Sequence, residues 1–588
     1  MFGKILSIFE YTIIVENLLK RVETSILGMH VVFEEKYKVV AEITKITNTQ
    51  IECILVGEFI NNKFFNGITH KPSGNSKIRL VNKDEVIILV GSQEVDSKDN
   101  LYIGKSLIYD GFNVSADIDA FFSNHFAILG NTGSGKSSTV ARLFQNLFYR
   151  KNNRPINSRI VLFDVYGEYK CAFDTINKLQ DCRYKTLTTD VSALESEIIK
   201  IPPYFLEVDD LALLLNVESP AQIPIIQKAL RYVYLFTEDE ETVLAHKNNI
   251  IAKAVKDILT SGKEPVRIRD QIVAVLSSFH TKNINLESEI AQPGYIRTLR
   301  QCLNLDETGK MNTIQLVIEF IDRFINEDLK LDNTMKPRKY TLKDLYDAFE
   351  FALISEGVLK SDKVYDINNI LKVRLDAIIN SPNYRYFDVE EFISKNDYVN
   401  RLFTSSDGRS VQLLNLNLNY VDERFAKSLT KIYSKLFFDY SIALKEEHTH
   451  SIQIILEEAH RYVQNDTDIN VIGYNIFDRI TKEGRKYGVV LGLITQRPCE
   501  LSTTALSQCS NYVVLRMFHP DDLAIVKNIT HSISETDVEK IKSLGPGNAL
   551  CFGYAVNIPL FARIDPPNPY PNSSNAHIKD SWFMNNMQ

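Results

Sequence analysis

The chain has 588 residues, enough for roughly three or four domains or subdomains and for a sizeable core. Its 67 lysines and arginines against 74 aspartates and glutamates give a formal charge of −7, which excludes attraction of nucleic acid over the whole surface and leaves room for a local basic ring. No apolar run approaches the roughly 18 residues of a membrane helix, and the seven cysteines form neither a C-x-x-C pair nor a disulfide framework, which fits a reducing cytoplasm.

The opening "MFGKILSIFEYTIIVE" carries Glu10 inside its apolar run and lacks a small-residue cleavage site, unlike a secretory signal. Up to about Val90 the runs "TIIVE", "KVVAEITKI", "QIECILVGEF", "SKIRLV" and "EVIILVG" predict short strands of a small β-barrel or sandwich. The polar "SQEVDSKDN" reads as a linker. From His125 strand–turn–helix units begin, with "SRIVLFDVYGEYK" as an apolar parallel strand ending in acidic and glycine residues. Residues 201–400 are helix-rich. Strands return at "RSVQLLNLNL", "SIQIILEEAHRYV", "KYGVVLGLITQRP" and "NYVVLRM", and the proline-rich "IDPPNPYPNSSN" predicts an extended tail.

Gly130, Asn131, Thr132, Gly133, Ser134, Gly135, Lys136 and Ser137 match G-x-x-x-x-G-K-[ST] in full, between the strand "HFAILG" and the helix "SSTVARLFQNLF", whose Ser138 is a further nucleotide-binding candidate. Such a turn aims backbone N–H groups and a helix N-terminus at phosphate oxygens, while Lys136 reaches the β/γ-phosphates of ATP and Ser137 ligates Mg²⁺. Hydrolysis needs a carboxylate at a neighbouring strand end as well. Two strand ends offer one. In "IILEEAH" Glu457 would hold the Mg²⁺ shell and Glu458 would polarise the attacking water, while "LFDVYGEY" supplies Asp164 and Glu168. Either acidic pair, taken alone, also fits a solvated strand terminus or a helix cap. Arg485 could neutralise transition-state charge and Gln496 could sense the γ-phosphate or orient water; without the P-loop they read as a solvated helix residue and a turn former. His460 has no ligand-spaced companions, and no nuclease constellation is evident.

The ordered set "LGNTGSGKS", "FDVYGEY", "ILEEAH", "EGRKYG" and "TQRP" resembles the HerA family, in the HerA/FtsK branch of RecA-like P-loop motor ATPases. The resemblance implies an α/β fold: an N-terminal small β-barrel (HAS-barrel-like) over 1–95, a RecA-like ATPase core split between 96–200 and 401–565, a helical insertion over 201–400 and a tail over 566–588. It also implies a cytoplasmic homo-hexamer that hydrolyses ATP with Mg²⁺ between subunits and moves double-stranded DNA, without a membrane. Bacterial members of this kind accompany an effector protein, a nuclease or a sirtuin-like NAD hydrolase, in DNA end processing or antiphage defence. By position the resemblance puts Lys136 and Ser137 on Walker A, Glu457 and Glu458 on Walker B, Asp164 on the second-strand aspartate, Gln496 on the sensor and Arg485 on the trans-acting arginine. Asn124 is a departure, because many relatives place an arginine just before the histidine that leads into the P-loop strand. Two other readings stay open, an ATP-dependent scaffold that organises such an effector and a secretion or conjugation ATPase.

Overall fold

The computed structural model describes residues 2–582 except 194–196, 237–239, 330–337, 356–361, 445–449, 465–470, 530–532 and 574–581. The chain forms two compact units, one built from Met1–Glu197, Asn396–Asp466 and Ile476–Gln588, the other from Ile198–Lys395 and Thr467–Asn475.

The first unit opens with an antiparallel seven-stranded sheet of β1 (Phe2–Phe9), β2 (Thr12–Asn17), β3 (His30–Glu34), β4 (Lys38–Ile46), β5 (Gln50–Ile60), β6 (Lys63–Asn66) and β7 (Lys77–Leu80). The order is β1-β2-β5-β4-β3-β7, with β6 on β5, and no ladder among the described residues joins β1 to β7. Alternation along β2 and β5 buries Ile13, Val15, Ile51, Cys53 and Leu55 on one face, as period-two patterning requires.

The expected strand "EVIILVG" is instead a helix, Lys83–Val90. Asn82 caps it: its side chain accepts from the Glu85 N–H at 2.9 Å while Glu85 accepts from the Asn82 N–H at 2.9 Å. This capping box precedes the apolar run and Gly91, at φ 92°, ends it, so local capping overrides strand propensity. Val86, Leu89 and Val90 pack into a core that also contains Val32, Val40 and Phe59 of the first sheet and Phe126 and Val140 of the P-loop region.

The larger sheet has twelve strands. Those before the second unit are β8 (Asn100–Ser106), β9 (Asn113–Asp117), β10 (Phe126–Leu129), β11 (Arg159–Asp164), β12 (Tyr184–Thr188) and β13 (Glu197–Ile198). The second unit has its own hairpin, β14 (Glu289–Gln292) and β15 (Tyr295–Thr298), among helices that include Glu240–Leu259 and Leu342–Ser355. After it come β16 (Leu413–Asn417), β17 (Ile452–Leu456), β18 (Val489–Thr495), β19 (Asn511–Val514), β20 (Asn548–Gly553) and β21 (Leu560–Arg563). The order β13-β12-β16-β11-β17-β18-β10-β19-β20-β21-β8-β9 is parallel from β12 to β19 and antiparallel from β19 to β9. Every residue of β10, β17 and β18 is buried, as expected of central parallel strands covered on both faces. This is a mixed α/β fold built on a large sheet. No described helix is long and apolar enough to cross a membrane.

One contact between the small sheet and the larger body has a pH signature. Glu42 on β4 lies 3.7 Å from the Lys540 ammonium on a helix we label α3 (Glu535–Ser543), which also pairs with Asp537 at 3.1 Å. Burial, reinforced by the Asp537 charge and opposed by Lys540, raises the Glu42 carboxyl from 4.5 to about 7. The folded chain therefore holds this proton more tightly than the unfolded one. Its stabilising effect is complete below pH 4.5 and is lost as the pH rises through about 7. Glu42→Gln should raise stability by roughly 1–3 kcal/mol at pH 8 and by little at pH 4.5. Thermal melts of the two proteins at both pH values check this, and an equal gap at both would refute it.

Candidate nucleotide and phosphoryl-transfer site

Four adjacent parallel strands, β11, β17, β18 and β10, bring their carboxyl ends together, and each carries one of the motifs found in the sequence. Crevices at strand carboxyl ends are where parallel α/β sheets bind ligands. From β10 the chain enters the Gly130–Ser137 loop and then the helix α1 (Lys136–Phe148). Gly135 sits at φ 99°, and a Cβ there would lie 3.2 Å from the Gly547 nitrogen, so the loop closes only with glycine at this position. The loop is braced from outside: the Asn131 N–H donates to the Arg516 carbonyl at 3.0 Å, the Gly130 N–H to Thr495 at 3.2 Å and the Gly547 N–H to Ser134 at 3.1 Å. Leu143, Phe144, Leu147 and Phe148 anchor α1 in the core, each worth about 1.5–3 kcal/mol on burial.

Lys136 curls back so that its ammonium donates to the Asn131 carbonyl at 3.3 Å. Burial lowers its pKa, opposed by the charges of Glu458, Glu457 and Glu168. Ser137 hydrogen-bonds Glu168. Thr132 of the loop donates from its hydroxyl to the Gln496 side-chain oxygen at the end of β18.

Asp164, fully buried, accepts from the Glu168 N–H at 3.0 Å, the Tyr169 N–H at 3.1 Å and the Asn415 amide at 3.2 Å. Its oxygens shape the turn that presents Glu168. Glu457 accepts one hydrogen bond from the Tyr169 hydroxyl at 3.2 Å, and burial, with the charges of Asp164, Glu168 and Glu458, holds its carboxyl well above the usual range. Glu458 has φ 46°, a left-handed conformation that costs a side-chain-bearing residue about 1–2 kcal/mol. In an extended strand, successive side chains point to opposite faces. The left-handed turn instead leaves Glu457 and Glu458 both close enough to act electrostatically on Lys136.

Three features here carried no sequence signal. His460 hydrogen-bonds the Thr495 hydroxyl at 3.0 Å and lies 3.3 Å from Glu458, linking the ends of β17 and β18. Tyr169 supports Glu457 from the β11 turn. The proline-rich tail follows α1: Gln145 donates to the Pro569 carbonyl at 2.8 Å and accepts from the Asn568 N–H at 2.8 Å, and the Asn572 N–H donates to the Glu168 carbonyl at 2.8 Å.

Arg485 is not part of this crevice. It is exposed on the turn Gly484–Tyr487 before β18, whereas Gln496 follows that strand, so about 20 Å of β18 separates it from its own P-loop edge. Asn124 is buried with its amide donating to the Ala120 carbonyl at 2.8 Å, capping its own preceding helix.

The residues present fit Mg²⁺-nucleotide. Glu168, Glu457 and Glu458 all act on Lys136, and Glu457 meets the charges of Asp164, Glu168 and Glu458 as well, a crowding of carboxylates that a divalent cation would relieve. Ser134 Oγ, Thr139 Oγ1, Glu168 Oε2 and Glu457 Oε2 are buried without a hydrogen-bond partner among the described residues. Buried polar atoms left unpaired are costly and mark a place for a ligand or water.

A family model described as "Helicase HerA, central domain" matches residues 101–318. "DNA double-strand break repair helicase HerA" of Sulfolobus acidocaldarius is 23% identical over 512 residues, spanning 87% of this chain and 77% of that protein. The protein of that name from Pyrococcus furiosus is 23% identical over 477 residues, 80% of this chain and 70% of its own. The chain is thus similar to the HerA helicases over most of its length. Among solved structures, VirB4 of Thermoanaerobacter pseudethanolicus aligns over 80% of this chain and 98% of its own, with a TM-score of 0.45 and 14% identity. These matches support ATPase activity in this chain.

Proposed function

We propose that the chain is an ATP-driven double-stranded DNA translocase or helicase that works as a ring of six copies, with ATP and Mg²⁺ held on Gly130–Ser138. The observation that carries the reading is the split of the phosphoryl-transfer set. Acid, lysine and sensor groups share one sheet edge while Arg485 sits about 20 Å away at the other, where it can serve only a different copy. Bound Mg²⁺-ATP would supply the γ-phosphoryl group and the metal's charge. The chain's own residues then divide the work. Lys136 neutralises the β/γ-phosphates, Ser137 and Glu457 hold the metal, Glu458 orients and deprotonates the attacking water, Gln496 reports the γ-phosphate to β18, and Arg485 completes the neighbour's site. Asp164 acts by fixing the turn that carries Glu168. The HerA relatives, named as DNA double-strand break repair helicases, support DNA as the track.

In this reading the N-terminal sheet is a barrel-like assembly and partner module and the second unit is an insertion. The partner is an effector, a nuclease or a sirtuin-like NAD hydrolase, in DNA end processing or antiphage defence, and the chain acts in the cytoplasm. The exposed apolar residues Leu6, Phe9, Tyr11, Leu18 and Val22 on and beside β1 and β2 favour such a docking role. They also keep open the scaffold reading, in which ATP binding mainly organises the effector.

The test is ATP hydrolysis with and without linear duplex DNA, together with displacement of a third strand from a triplex. Duplex should stimulate turnover and the third strand should be released without any partner. Lys136→Ala should lower turnover by roughly 10²-fold or more and abolish displacement. DNA-independent turnover with no displacement would overturn the motor and leave the scaffold.

A further inference from the structure

We propose that His125 is a positioning residue that ties the strand entering the P-loop to the turn carrying Arg485, so that nucleotide held by one copy bears on the arginine that copy offers its neighbour. The inference rests on the reading of Arg485 as acting between copies.

His125 is fully buried immediately before β10. Its Nδ1 accepts from the Leu491 N–H on β18 at 2.9 Å, and its Nε2 lies 3.1 Å from the Thr481 carbonyl. A carbonyl only accepts, so Nε2 carries the proton and the ring is neutral. Burial, with Arg485 acting in the same direction, lowers its pKa to about 4 and keeps it so. Thr481 belongs to the helix α2 (Ile476–Glu483), and Arg485 follows on the short turn Gly484–Tyr487 before β18. One imidazole therefore grips both limbs of the connection, the helix that precedes Arg485 and the strand that follows it.

The connection has little slack. A Cβ on Gly484 would lie 2.6 Å from the Val489 carbonyl, and the Gly488 carbonyl accepts from the Ile452 N–H at 2.8 Å. At the other end of β10, four residues on, the chain enters the P-loop at Gly130. Those four residues pair in register with β18 and β19, which makes β10 a stiff segment about 13 Å long. A displacement at Gly130 would reach β18 through this ladder and the His125 ring, and would reach Thr481 on the helix before Arg485 through the His125 ring. Misplacing a catalytic group by about 1 Å costs on the order of 10²-fold in rate.

The test classifies His125→Phe by mixed assembly. Rings of His125→Phe alone should bind a fluorescent ATP analogue with wild-type affinity and lose turnover by about 10²-fold. Mixed with Lys136→Ala, they should regain activity, because the Lys136→Ala copies supply an intact Arg485 to intact P-loops. Mixed with Arg485→Ala, they should regain none. His125→Gln, which can still donate to the Thr481 carbonyl, should lose less than His125→Phe. The control is Lys136→Ala with Arg485→Ala: no recovery there sinks the trans reading of Arg485 and this inference with it. If the control recovers but His125→Phe is rescued by Arg485→Ala, or by neither, or needs no rescue, the coupling is wrong and the trans reading survives.

Discussion

Glu458→Gln is expected to bind ATP about as tightly as the wild type and to lose turnover by roughly 10²–10⁴-fold, the range of a positioned general base. The amide keeps the size of the carboxylate and the left-handed backbone at residue 458, so the loop and Lys136 keep their places. What disappears is the carboxylate proposed to accept the water's proton. Burial raises the Glu458 pKa, opposed by Lys136, Arg461 and Arg497, which makes this carboxylate a better base than an exposed one. Glu457, held by Tyr169 and surrounded by three other carboxylates, suits the metal shell instead, so Glu457→Gln should weaken Mg²⁺ dependence before it weakens proton transfer. Steady-state kinetics beside equilibrium nucleotide binding separates the two. Near-wild-type turnover in Glu458→Gln would move the base to Glu457 or Glu168.

Arg485→Ala should leave folding and nucleotide affinity unchanged and lower turnover by about 10³–10⁵-fold, as removal of a trans-acting guanidinium does in related phosphoryl transfer. The side chain is exposed on a turn that β18 separates from its own P-loop edge, so a large loss of turnover with folding and affinity intact points to action on another copy. The wild type's specific activity should therefore rise with protein concentration as copies assemble, while that of Arg485→Ala stays flat. A loss below tenfold, or wild-type activity that is independent of concentration, would count against an intersubunit site.

The glycine-rich loop, the acidic strand ends and the strand before Gln496 are legible because each rests on a local pattern: a glycine-rich turn after an apolar strand, or a polar residue at the end of one. The run Glu85–Gly91 is helical where a strand is expected, because its apolar residues suit a strand or a helix equally and the Asn82–Glu85 capping box decides between them. His460 and Tyr169 could not be read at all, since each matters through a partner more than thirty residues away.

Nearest-neighbour chemistry in the chain settles the nucleotide-binding loop, the parallel strands and the identities of the acidic residues, because hydrophobic period and glycine placement act over a few residues. The division of those residues into two sheet edges is a property of strand order. Placing β17 and β18 between β11 and β10 sets Glu457 and Glu458 near Lys136 and Gln496 on Thr132, and the direction of β18 carries Arg485 to the far side. Tertiary packing likewise turns a proline-rich tail into a brace on α1 and the Glu168 turn, and turns a histidine at a strand entrance into a two-armed link. These depend on hydrogen bonds between residues hundreds of positions apart, whose geometry exists only once the sheet has closed around them.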